Sequence, residues 1–275
     1  MNSLGIALAP FEIIWLIKVM KKLFIWSLPL VVLCAFAILR FQPWQKSEQP
    51  EPQPVPAPAS PAEPAVRYPV ESDPSAPPLP ALAESDQALE AELAALLGKR
   101  ALVLLHLKNI VHRVVATVDN LPRDHLAPRL MPVKAVAGLP LTKNDGATTL
   151  LSPSNGRRYQ AYVRLADTAP TGALVALYAR FYPLFQEQYE ALGYPGKHFN
   201  DRVIEVIDHL LATPEAPEPL RLVQSRVLYE FADPKLESLS AGQKILLRVG
   251  KENREKLQSK LRELRQELTS LGTVQ

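Results

Sequence analysis

The spacing of hydrophobic positions along this chain changes several times, and each change marks a different kind of segment. From Leu23 to Leu39 there is no periodicity: 17 residues run without a charge, with Lys21 and Lys22 before them and Arg40 after. A helix apolar all round needs an apolar medium all round. At about 1.5 Å per residue the run covers roughly 25 Å, and Phe41 with snorkelling lysines extends it toward the roughly 30 Å of a bilayer core. A single-pass membrane helix over residues 23–41 is therefore expected. The alternative of a buried core helix suffers from the proline-rich stretch that follows, which offers nothing to pack on. Ala35, Phe36 and Ala37 form a signal-peptidase pattern. The apolar run continues past that cut through Ile38, Leu39 and Phe41, which favours an uncleaved anchor.

Helical spacing begins near residue 84. Ser85 is expected as an N-cap, Leu89, Leu93, Leu96 and Leu97 as one face, and Gly98 as the stop. Leu107, Ile110, Val111, Val114, Val115 and Val118 mark a second amphipathic helix ended by Pro122. Asn144, Asp145 and Gly146, between Leu139–Lys143 and Ala147–Leu151, predict a small β-hairpin. Thr171 is the expected cap of a helix whose stripe is Leu174, Leu177, Tyr178, Phe181, Phe185 and Leu192, with Pro183 expected to kink or split it. Asn200 is expected to cap a helix with Val203, Ile204, Ile207, Leu210 and Leu211 on its core face. Ser240 and Gln243 have capping-box spacing. The final helix carries Leu257, Leu261, Leu264, Leu268 and Leu271 at steps of four and three. Two heptads are too few for a coiled coil, so this stripe lies on its own domain or pairs with a second copy.

Composition changes the picture between the anchor and the first of these helices. Of 27 prolines, 13 lie between Pro43 and Pro80. Proline fixes φ and extends its predecessor, so this part reads as a disordered, semi-rigid polyproline-II stalk that packs into no core. The chain thus divides into an N-terminal segment 1–22, which has the look of an over-long gene start, the anchor 23–41, the stalk 42–83 and a domain 84–270. The fold class is mainly α: one membrane helix, a stalk and a compact multi-helix domain with a small hairpin. Lys18, Lys21 and Lys22 against Arg40 and Lys46 place the N-terminus on the cytoplasmic side and export the domain.

Charge narrows the function. With 31 basic and 28 acidic side chains the net charge is +3, spread along the chain, which gives nucleic acid no one-signed surface. Cys34 is the only cysteine and falls inside the apolar run, so the domain has no thiol ligand or internal disulfide. There is no G-x-S-x-G, S-x-x-K, H-E-x-x-H, G-x-G-x-x-G or phosphate-loop motif. No cofactor or metal is expected. The densest polar and aromatic stretch holds the candidate binding residues Tyr194, His198, Asn200, Asp201, Arg202, Asp208 and His209. Asp201 and Asp208, two turns apart on one helix, are an acid–base pairing to test, and His198 with Asp201 and Asp208 or His209 a metal set; capping and a solvated face are the plainer reading.

Read together, Ala116–Arg123 (ATVDNLPR), Phe181–Leu184 (FYPL), Leu192–Pro195 (LGYP), Phe199–Arg202 (FNDR), Ile207–Leu211 (IDHLL), Val227–Pro234 (VLYEFADP) and Leu239–Lys244 (LSAGQK) resemble an uncharacterised bacterial family of membrane-anchored envelope proteins, catalogued only as domain of unknown function 3014. The resemblance covers about residues 82–268. It implies a Gram-negative envelope protein in the inner membrane with a periplasmic domain, and supplies no activity or catalytic residue. The expectation is a non-catalytic role in holding an envelope protein or polymer, through the Tyr194–Arg202 turn and through Leu257, Leu261, Leu264 and Leu268, the last set also serving self-association. The rival is an envelope-polymer hydrolase using Asp201 or Asp208 with His198 or His209.

Overall fold

The computed structural model describes residues 66–71, 75–224 and 227–272. The expected segment 1–22, the membrane helix 23–41 and the stalk up to residue 65 lie outside the described residues. Among the described residues no helix is long and apolar enough to cross a membrane. These residues belong to one compact unit, 62–275, which is mainly helical with a small antiparallel sheet.

The helices are α1 (Ser85–Leu97), α2 (Ile110–Asn120), α3 (Gln160–Thr168), α4 (Thr171–Ala191), α5 (Phe199–Leu211), α6 (Pro234–Glu237), α7 (Ala241–Arg248) and α8 (Lys251–Ser270). The main core is aromatic. Phe181, Tyr182, Phe185 and Tyr189 of α4 and Phe199 of α5 pack with Val111 and Val115 of α2 and Leu89 of α1. A second cluster joins Val175 of α4, Ile204 and Ile207 of α5 and Leu268 of α8, and a third joins Val206 and Leu210 of α5 to Leu246 of α7. Helix α5 is thus covered from several sides, as its two apolar stripes require.

Helix α4 runs on through Pro183 and is not split there in two. An interior proline costs about 3 kcal/mol, but Phe181, Tyr182, Leu184 and Phe185 around it are each less than a tenth exposed. At about 1.5–3 kcal/mol for each buried side chain, their packing outweighs the lost helix bond. Three caps also differ from expectation. Ser85 is the first helical residue and its hydroxyl donates back to the Leu82 carbonyl. Pro170 precedes α4 and His198 precedes α5, so Thr171 and Asn200 are free for tertiary bonds. The Ser240–Gln243 capping box is formed in both directions.

The expected hairpin is present as β1 (Thr142–Asp145) and β2 (Thr148–Leu151), paired Asp145 to Thr148 across a turn with Gly146 at φ 62°. It is half of a larger element. The strands β3 (Arg221–Val223) and β4 (Glu230–Phe231) extend it into an antiparallel sheet of order β1-β2-β3-β4. Strands of two and three residues carry no readable alternation, and the reason they form is tertiary: Leu222 and Phe231 are buried with Leu151, Leu220 and Leu247 beneath the sheet.

Two boundaries move. The leucine stripe of α8 is spent inside the domain: Leu268 is buried against Val175, Ile204 and Ile207, with Leu261, Leu264 and Leu271 beside it, and Leu257 and Leu261 also meet Val206 and Leu246. The last part of the expected stalk is folded onto the domain. The Tyr68 side chain packs in the α4–α5–α8 cluster, Val70, Leu79 and Leu82 pack against the aromatic core, and Gly272 lies so close to Pro69 that a Cβ there would come within 2.5 Å of the proline ring.

Candidate functional site

Helix α2 ends in the sequence Asp119, Asn120, Leu121, Pro122, Arg123, and Asp119 is the hub of a polar junction. Its position on the inward face of α2 leaves the side chain only 7% exposed. A carboxylate so enclosed needs cationic or hydrogen-bonding partners, and it has three, one from a turn away and two from distant parts of the chain. Arg123 Nη2 donates to Asp119 Oδ2 at 2.5 Å and to the Tyr194 hydroxyl at 3.2 Å. The Tyr194 hydroxyl donates to the same Oδ2 at 3.2 Å. From α5, Arg202 Nη2 reaches the Asp119 main-chain oxygen at 3.1 Å and Oδ1 at 3.4 Å, while Nη1 pairs with Glu205 at 2.9 Å.

The segment presenting Tyr194 is held by its own main chain. Between α4 and α5 the chain turns through Gly193 at φ 102° and Gly196 at φ 70°, values that favour glycine. Gln186 of α4 closes the turn, with its amide donating to the Lys197 carbonyl at 2.7 Å and accepting from the Phe199 N–H at 2.8 Å. The Tyr194 ring stacks on buried Tyr189 with centroids 4.6 Å apart, and the Lys197 ammonium lies 5.4 Å from the Tyr194 centroid.

Electrostatics follow this layering. Burial pushes the Tyr189 phenol up to about 12, with the Arg202 guanidinium opposing the rise and Asp119 adding to it. Burial works against the Arg202 charge, but Glu205 and Asp119 outweigh it and raise the guanidinium above its ordinary range. Arg202 Nε is enclosed and has no hydrogen-bond acceptor among the described residues.

On the other side of the α2 exit, the loop docks on the start of α7. The Ala241 N–H donates to the Arg123 carbonyl at 2.7 Å and the Gly242 N–H to the Leu121 carbonyl at 2.9 Å. A Cβ on Gly242 would lie 2.5 Å from the Leu210 side chain and 3.1 Å from the Leu121 carbonyl oxygen. His209 of α5 bonds Ser240 at 2.8 Å, between its Nε2 and the hydroxyl, and the Gln243 amide donates to the His209 carbonyl at 3.2 Å.

The seven candidates from the sequence fall into five places. Tyr194 and Arg202 meet at Asp119. Asn200 and Asp201 turn the opposite way and hold the incoming chain: Asp201 accepts from the Arg67 and Tyr68 N–H groups at 3.2 and 2.9 Å, and the Asn200 amide donates to the Tyr68 carbonyl at 3.0 Å. Asp208 faces α8, where the Arg265 guanidinium grips it with two bonds, at 2.5 and 3.1 Å. His209 faces Ser240, and His198 is the half-buried residue preceding α5, with no capping bond from its side chain. Asp201 and Asp208 are thus each held by other partners, main-chain donors and Arg265, and the described residues contain no group of three or more His, Cys, Asp and Glu placed to hold a metal.

In the sequence Asp119 and Arg123 appear only within ATVDNLPR, at the exit of the second helix. Their signal was collective: ATVDNLPR, LGYP, FNDR, IDHLL and LSAGQK lie far apart in the chain and meet at this junction. A separate cleft of about 840 Å³ lies between the β1–β2 end of the sheet and the α7–α8 corner, lined by Lys143, Asn155, Glu218, Arg248 and Asn253 among others. Its conspicuous amides serve the fold, since Asn155 donates to the Arg248 carbonyl and Asn253 to those of Gly156 and Val249.

A mainly helical domain in which separate stretches of the chain converge on one buried carboxylate defines the class of this protein. The chain belongs to the family described as protein of unknown function (DUF3014), whose model matches residues 110–265 and so takes in every member of the junction. No curated protein and no solved structure matches the chain.

Proposed function

We propose that this is a membrane-tethered bacterial envelope protein whose helical domain holds a protein partner at the Asp119 junction. The carrying observation is the layout of that junction: a buried carboxylate and a glutamine-closed turn hold Tyr194, Arg123 and Lys197 at the surface in one arrangement. Tyrosine and arginine presented rigidly are the side chains that dominate binding interfaces, because little entropy is lost when they are covered. The carboxylates offered for catalysis are already committed, Asp201 to main-chain donors and Asp208 to Arg265, which supports binding over a carboxylate-dependent hydrolase. The uncharged run 23–39 with Lys21 and Lys22 supports an inner-membrane anchor with the domain in the periplasm. A tether of this sort raises the effective concentration of the domain near its partner.

Cross-linking in intact cells followed by a carbonate wash tests both halves. The wild-type chain is expected in the washed membrane pellet with a discrete cross-linked partner, and the Tyr194→Ala, Arg202→Ala double variant in the pellet without it. Release of the chain by the wash would remove the anchor. Unchanged partner recovery by the double variant would remove the site.

A further inference from the structure

Seen from solvent, the junction carries cationic donors that its own carboxylates do not reach. Asp119 lies underneath, while Arg123 above it is 54% exposed. Arg123 spends Nη2 on Asp119 and Tyr194, and its Nε and Nη1 meet no acceptor among the described residues. Lys197 is exposed and lies against the Tyr194 ring, with no carboxylate partner among the described residues. The acidic groups nearby are engaged: Glu205 pairs with Arg202, and Glu190 takes a bond from the Gln186 amide. Arg123, Arg202 and Lys197 against Asp119, Glu205 and Glu190 give a formal charge of three minus three, or zero, so the attraction for an anion lies in the unpaired Arg123 edge and in Lys197.

Resting on the binding role just proposed, we infer that this surface takes a side-chain carboxylate from an acidic peptide segment of the partner. The planar edge of a guanidinium matches the two oxygens of a carboxylate. An ammonium on the far side of the tyrosine ring supplies a point charge to a neighbouring acid. With Glu190 and Glu205 beside the cations, a carboxylate monoanion is repelled less than a phosphate dianion. The Tyr194 ring, stacked on Tyr189, under Lys197 and bonded to Arg123 through its hydroxyl, fixes the spacing of the two cations.

The test uses the full-length chain in nanodiscs of neutral lipid and, as probes, a fluorescein-labelled glutamate-rich decapeptide and its glutamine counterpart, read by fluorescence anisotropy. The glutamate peptide is expected to bind at least 10-fold more tightly, with an affinity that falls as salt rises. Arg123→Gln and Lys197→Gln should each weaken it about 10-fold, whereas Arg164→Gln, at an exposed position on α3, should not. Lys197→Gln touches no buried bond, so it answers even where Arg123→Gln disturbs the fold. Equal binding of the two peptides, or indifference to Lys197→Gln, overturns the inference, as does inorganic phosphate competing better than free glutamate. Should the cellular partner be lost in the Tyr194→Ala, Arg202→Ala variant yet survive both glutamine variants, the binding role stands and the carboxylate reading falls.

Discussion

Asp119 shows how a residue's neighbours decide its meaning. In sequence it is one acidic residue at a helix exit; in the fold it is a nearly enclosed carboxylate held by two guanidiniums and a phenol. Enclosing charges in this way gives little net stability, because desolvation consumes most of the attraction, but removing one member leaves the others unpaired. Asp119→Asn is therefore expected to destabilise the domain by about 3 kcal/mol, at the lower end for a broken buried pair because Arg202 keeps Glu205. Urea unfolding followed by circular dichroism measures it. A loss below about 0.5 kcal/mol would class the junction with exposed ion pairs, which contribute that little.

At the scale of elements, the loop after α2 and the start of α7 approach until only glycine fits between them. Gly242 occupies a helix, where alanine is ordinarily better by about 1 kcal/mol. Here the added Cβ would meet the Leu210 side chain at 2.5 Å and the Leu121 main-chain oxygen at 3.1 Å. A leucine methyl can rotate, but the carbonyl oxygen accepts the Gly242 N–H and cannot withdraw without breaking that bond. Overpacking of this kind costs about 1–3 kcal/mol, which exceeds the propensity gain. Gly242→Ala should lower stability by about 1–2 kcal/mol, measured by denaturant unfolding; a more stable variant would show that the contact yields. The sheet is built on the same tertiary logic. The Glu237 carboxylate accepts from the Phe231 N–H at 2.8 Å and from Lys244 at 3.0 Å, tying the last strand to α7. Burial alone would raise the Glu237 pKa, but these donors overcome it and hold the group below the ordinary carboxylate range.

For the whole molecule, the consequence is where the tether ends. Asp201 and Asn200 grip the main chain of Arg67 and Tyr68 without regard to side chain, and the Tyr68 side chain packs into the α4–α5–α8 cluster. Limited proteolysis should cut within the proline-rich stretch and leave a resistant fragment that begins near residue 62–66, well before Leu82. In Asp201→Ala the start should move toward Leu79 while the melting temperature of the helical core changes little. N-terminal sequencing of the fragments decides it. A wild-type fragment starting near Leu82 would mean that the clamp is too weak to protect the chain.

What the sequence determined by itself was local. The period of the leucines and valines placed α1, α2, α4, α5 and α8, Asp145-Gly146 placed the hairpin, and Ser240 with Gln243 placed a helix start, because each depends on neighbours within a turn or two; α3 and α6 were not foreseen. The motifs of the family were legible as words, and so was membership. Only the tertiary structure decided which words meet. Pro183 stays in a helix because of the aromatic side chains packed around it, and β3 and β4 exist because Leu222 and Phe231 find Leu247. Asn200 and Asp201 serve the incoming chain, while Arg202 beside them serves Asp119, 83 positions away. Successive helical residues point about 100° apart, so adjacent letters can report to opposite sides of a domain. No spacing rule relates Asp119 to Tyr194 and Arg202, because the distance between them is set by the packing of α2, α4 and α5.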